Sequence, residues 1–167
     1  MNHEIITDKL KLKIVENSDA ELIHKLRTNP EVGKFIKRDL NKSLNDIENF
    51  IEEINKSDLF FSIRTLENNE FAGTIAIWNI NPERKYAELG YELFPSFQNK
   101  GIMTNAINGI LDYAFNKLDF EIIEAYTDKE NQNSRKLLEK IGFNLVCNKI
   151  DKKNLNNIIY EIKKVCN

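Results

Sequence analysis

A chain of 167 residues, 41% hydrophobic and 30% charged, has the size and make-up of one globular domain with a real core, which excludes wholesale disorder. Its formal net charge of −2 comes from interleaved signs, so the basic excess of a nucleic-acid binder is absent, and the lysines at 149, 152, 153, 163 and 164 read as a solvated face because Asp151 and Glu161 sit among them. No apolar run reaches the roughly 20 residues that span a bilayer, and Met1-Asn2-His3-Glu4 lacks signal-peptide character, so a cytoplasmic protein without membrane contact is expected.

Residues 10–16 alternate apolar and polar side chains and predict a strand. Ser18, with Glu21 three residues on, has the pattern of a capping box. The helix it opens carries Leu22, Ile23 and Leu26 on one face and ends near Pro30. A second helix follows Ser43, with Ile47, Phe50, Ile51 and Ile54 at helical spacing. Residues 59–66 and 71–77 are rich in aromatic and β-branched residues and predict two strands joined by a turn at 67–70. A third strand covers 84–94, and a long helix runs from about Lys100 to Lys117 on the stripe Met103, Ala106, Ile107, Ile110, Leu111, Ala114 and Leu118. A strand at 121–127, a helix at 131–141 closed by Gly142, and strands at 143–150 and 155–165 complete the chain.

This order predicts an α+β fold over residues 1–167, with a mixed, mostly antiparallel central sheet flanked by helices. The crossover from 84–94 through the long helix to 121–127 should be parallel and right-handed. Cys147 and Cys166 form no CxxC pair and read as buried free thiols in strands, and no metal is expected.

Three segments carry chemistry. Gln98-Asn99-Lys100-Gly101-Ile102-Met103-Thr104 follows a strand and opens a helix, leaving backbone N–H groups that point one way and suit a pyrophosphate. It is neither a P-loop nor a dinucleotide fingerprint. In Ala87-Glu88-Leu89-Gly90-Tyr91-Glu92-Leu93, period two puts Glu88, Gly90 and Glu92 on one face of a strand and Leu89, Tyr91 and Leu93 on the other, hydrophobic face. A carboxylate at the centre of a sheet is costly unless satisfied, which makes Glu88 and Glu92 candidate general bases; pairing with a lysine or arginine is the plain alternative. Asn131-Gln132-Asn133-Ser134 opens the helix before Gly142-Phe143, where an asparagine can simply cap.

In order and spacing the three segments resemble the GNAT acetyltransferases, and within them the ribosomal-protein N-terminal acetyltransferases of Rim type. The resemblance is strong over residues 86–146 and fainter over the N-terminal third. It implies that Gln98, Asn99, Lys100, Gly101, Ile102, Met103 and Thr104 cradle the acetyl-CoA pyrophosphate. It further implies that backbone at Leu93 and Phe94 pairs with the pantetheine arm and supplies an oxyanion donor, that Asn131 bonds to the arm, and that Ser134 lies near the sulfur. Glu88 matches the strand glutamate that serves as base, with Glu92 assisting. Two departures stand out: Met103 replaces a small residue, and Leu138 stands where many members carry a general-acid tyrosine. Protonation of the leaving thiolate then falls to Ser134, a modest demand for a thiol pKa of about 8.5.

The implied activity is transfer of an acetyl group from acetyl-CoA to a primary amine, a protein N-terminus or a small molecule, by direct attack in a ternary complex. A non-catalytic acyl-CoA-binding module is the competing reading. A cationic acceptor would suit an acidic pocket, and Glu31, Asp39, Asp46, Glu48, Glu52 and Glu53 could supply one, although a solvated helix face is the plainer reading of that cluster. Acceptor choice should lie in residues 30–58 and the loop before Leu155, and Phe35 and Ile36 offer an apolar surface for a homodimer.

Overall fold

In the computed structural model, which describes residues 3–165, eight strands form one sheet in the order β1-β2-β3-β4-β5-β6-β8-β7. They are β1 (Glu4–Ile6), β2 (Leu10–Ile14), β3 (Leu59–Thr65), β4 (Phe71–Asn81), β5 (Tyr86–Leu93), β6 (Ile122–Asp128), β7 (Asn144–Leu145) and β8 (Asn157–Lys163). Every pairing is antiparallel except β5 with β6, the pair joined by the long-helix crossover. The mixed, mostly antiparallel sheet follows from the sequence order as expected.

Strand periodicity sorts side chains between two cores. Phe61, Ile63, Ile75, Ile77, Leu89 and Ile123 point to one face, where α3 (Ile102–Asn116) and α4 (Gln132–Ile141) cover them. Phe60 and Ala76, one residue out of phase, point to the other face, under α1 (Ala20–Arg27) and α2 (Leu44–Ser57). The predicted α3 stripe is buried from Met103 to Ala114. Ser43 caps α2 by accepting from the Asp46 N–H, and Gly142 closes α4 with φ 114. No helix among the described residues is long and apolar enough to cross a membrane.

Three expectations change, and one strand is added. The capping box lies at Glu16 and Asp19 rather than Ser18 and Glu21, because Asp19 is drawn in to bind the Arg64 guanidinium at 2.6 Å and the Glu16 N–H at 3.1 Å. The short β1, antiparallel to β2, has no periodic signal in its three residues. The strand expected over 143–150 keeps only Asn144–Leu145, since Asp151 turns the chain by accepting from the Lys153 N–H and the Asn157 amide, each at 2.9 Å. Cys147 is therefore exposed rather than buried; Cys166 lies outside the described residues.

Candidate active site

β5 and β6 hold together for four residue pairs, from Tyr86↔Ile122 to Leu89↔Ala125, and then part. Past that point β5 stays with β4 as far as Gly73↔Leu93, and β6 stays with β8 as far as Asp128↔Asn157. Gly73 lets β4 and β5 close up, since a Cβ there would sit 2.0 Å from the Glu92 carbonyl oxygen. The Phe94 N–H is spent on the Ala72 carbonyl at 2.9 Å. By the alternation of an antiparallel ladder, the main-chain groups of Tyr91 and Leu93 then face the gap. The Leu93 carbonyl accepts from the Gln98 side-chain amide at 3.2 Å.

The chain turns from β5 into α3 through Pro95–Phe97 and two residues with positive φ, Asn99 (59°) and Gly101 (73°). A Cβ on Gly101 would meet nothing within 4 Å, so glycine is favoured there by its left-handed backbone rather than by contact. The first turn of α3 carries no acidic residue, and its free N–H groups and dipole present a seat for an anion. Met103 turns inward and is buried in the core.

Opposite this turn stands the start of α4. The Asn131 side-chain oxygen caps the helix by accepting from the Ser134 N–H at 3.1 Å, and its amide NH2 has no partner among the described residues. The Ser134 hydroxyl lies 2.7 Å from the Tyr91 hydroxyl. Burial pushes the Tyr91 pKa up to about 12, so the phenol stays protonated at neutral pH. Leu138, where the resemblance implies a tyrosine in many members, is fully buried in the core.

These parts border one cleft of about 560 Å³. It brings together Glu92, Leu93, Gln98, Asn99, Gly101, Ile102, Met103, Thr104, Asn131 and Ser134 of the residues singled out by sequence. Phe94 packs edge-on against Phe71 instead, and Lys100 points to solvent; neither borders the cleft. Tyr91, Lys136 and Lys140 border it without having been anticipated. The two lysines are four apart on α4 and so share a helix face, a signal the sequence did carry. Phe35 and Ile36 also line it, and Ile36 is partly exposed.

The two strand glutamates have different surroundings. Glu92 is buried and ion-paired with Arg38, while its second oxygen and the Arg38 Nε and Nη1 have no partner. Glu88 is half-buried, away from the cleft, with its Oε1 3.2 Å from the Tyr86 hydroxyl and no ion pair among the described residues. Of the N-terminal acidic residues, Glu31 lines the cleft, Asp39, Asp46 and Glu53 line a second cavity of about 290 Å³, and Glu48 and Glu52 border neither. They do not form one acidic pocket.

A coenzyme A molecule fits this donor set: an anion seat at α3, two lysines on α4, and a free strand edge for an extended amide-bearing arm.

The acetyltransferase (GNAT) domain model matches residues 9–144. The uncharacterized N-acetyltransferase p20 of Bacillus licheniformis is 31% identical over 144 residues, which cover 83% of this chain and 81% of the relative. Spermidine N(1)-acetyltransferase of Escherichia coli K12 is 25% identical over 138 residues, covering 81% and 73%. The solved structure of RimL, a ribosomal L7/L12 alpha-N-protein acetyltransferase in complex with coenzyme A, superposes with a TM-score of 0.83 at 18% identity, over 96% of this chain and 98% of that one.

Proposed function

The chain belongs to the GNAT acetyltransferase family and is an N-acetyltransferase, and we propose that it acetylates a primary amine by direct attack in a ternary complex. The acceptor is a protein N-terminal amine, as of a ribosomal protein, or a small-molecule amine; relatives are named for both kinds. The parting of β5 from β6 above the α3 anion seat carries this reading.

Acetyl-CoA supplies an activated thioester. The N–H groups of α3 from Ile102 to Thr104, with Lys136 and Lys140, hold the pyrophosphate. The main-chain edge at Tyr91 and Leu93 and the Asn131 amide align the arm, and an N–H of that edge steadies the oxyanion. Glu88 takes the amine proton through water, and Glu92 acts chiefly to hold Arg38. Ser134, oriented by Tyr91, assists the thiolate as it leaves.

Calorimetric titration of the protein with acetyl-CoA tests the reading. Saturable binding is expected, lost in Gly101→Glu, which brings a carboxylate to the anion seat. Gly101→Ala controls for the strain of a side chain at φ 73° and should bind. A folded, CoA-free protein that fails to bind overturns the reading. An amine screen with Glu88→Gln as control then identifies the acceptor.

A further inference from the structure

On the sheet face opposite the Tyr91–Ser134 contact, Trp78, Glu88, Glu124 and Glu161 lie side by side across β4, β5, β6 and β8. Glu124 is the buried member. Its Oε2 lies 2.7 Å from the Tyr86 hydroxyl, 3.0 Å from the Tyr126 hydroxyl and 2.5 Å from the Lys149 ammonium. The same ammonium lies 5.4 Å from the centre of the Tyr86 ring and 5.8 Å from that of Tyr126. A carboxylate and two aromatic rings around one nitrogen make a cage for an alkylammonium ion.

The occupant is loosely tethered. Lys149 belongs to the irregular connection between β7 and β8, its side chain is 43% exposed, and its neighbour Ile150 is 70% exposed. Glu161 has its own cationic partner, Lys163 at 3.1 Å, and Glu88 has no ion pair among the described residues. Lys149 pairs with Glu124 alone, and the exposed Trp78 ring stands at the end of the row. The row sits at the level where β5 and β6 begin to part.

We propose that this cage is a binding site for a positively charged group of the acceptor, and that Lys149 fills it as an internal stand-in until the acceptor displaces it. Resting on the acetyltransferase reading above, the inference adds a substrate class: an amine with a second ammonium group a few bonds from the one that reacts. One ammonium takes the cage at Glu124, and the other lies toward Glu88. This site on the sheet, and not the N-terminal helices, supplies the acidic surroundings that a cationic acceptor suits.

Trp78 is the single tryptophan and reports on the row directly. The full-length protein, saturated with CoA, is titrated with putrescine and with butanediol, its uncharged counterpart, while tryptophan fluorescence is followed at physiological ionic strength. Putrescine should bind and butanediol should not. Lys149→Met should bind putrescine at least about tenfold more tightly, because no internal competitor remains. Lys163→Met removes the same charge nearby and should change the affinity less than about twofold. Glu124→Gln should weaken binding by about tenfold or more; if that variant does not fold, Lys149→Met decides alone. Equal putrescine affinity in wild type and Lys149→Met, equal gains in both lysine variants, or no putrescine binding in any protein overturns the site. Calorimetry with acetyl-CoA is independent of these outcomes, so failure of the cage and failure of the acetyltransferase reading are told apart.

Discussion

The Tyr91 hydroxyl and the Ser134 Oγ, 2.7 Å apart, join the parting strand β5 to the first turn of α4 across the floor of the cleft. A serine alone is a weak acid. A protonated phenol bonded to it fixes where the serine O–H points and can replace the proton that it gives up. Tyr91→Phe should lower kcat about tenfold and leave the KM for acetyl-CoA unchanged, since the aromatic packing survives. Ser134→Ala should do the same. If the two act as one unit, the double variant should be hardly slower than either single one. Steady-state kinetics on the three proteins decide this, and multiplicative losses would separate the residues.

The same tyrosine gives a pH dependence of stability. Its pKa is 10.0 when unperturbed and about 12 in the fold, because burial disfavours the phenolate. A group whose pKa rises on folding contributes stability that is complete below the unfolded value and is lost as pH climbs through the folded one. Wild type should therefore lose stability between pH 10 and about 12, and Tyr91→Phe should lose less over that window. Tyr86, Tyr113, Tyr126 and Tyr160 are shifted upward too, so the readout is the difference between the two proteins in urea midpoint. Parallel curves would mean that Tyr91 titrates as an ordinary phenol.

Glu92 and Arg38 make a pair that is buried on both sides, with side chains 7% and 13% exposed. Such a pair contributes little net stability, yet removing one partner strands a charge. Arg38→Met should destabilise the protein by about 3–5 kcal/mol, and Arg38→Met with Glu92→Met should recover most of the loss. Chemical denaturation measures both. A mild effect of the single variant would show that water reaches the pair.

Periodicity made the helices and the middle strands legible, and the order of the chemical segments made the cleft legible at Gln98, Gly101, Asn131 and Ser134. Long-range partners were not legible. Period two put Glu88 and Glu92 on one face but could not say that Glu92 meets Arg38, 54 residues away. Tyr91 was read only as part of the hydrophobic face, because its polar partner lies 43 residues downstream. Lys149 read as one lysine of a solvated face, since the carboxylate and rings around it come from β5 and β6. The Asp151 turn that shortened β7 depends on local side-chain hydrogen bonds, which hydrophobic pattern does not register.

The proposed roles of Glu88 as base and of Glu92 as the partner of Arg38 separate in one comparison. Glu88 has a single hydrogen bond, to the Tyr86 hydroxyl, and no ion pair among the described residues, so the proposed role of base falls to it. Glu88→Gln keeps the shape and should lower kcat by about a hundredfold or more, with acetyl-CoA affinity and the urea midpoint unchanged. Raising the pH should partly restore its rate, because more of the amine then arrives deprotonated. Glu92→Gln leaves Arg38 as an uncompensated charge and should lower the urea midpoint, with its rate loss tracking the loss of folded protein. The deciding data are pH–rate profiles set beside denaturation curves. A Glu88→Gln enzyme with the wild-type profile would remove Glu88 from the chemistry, and a slow but fully stable Glu92→Gln would move the base to Glu92.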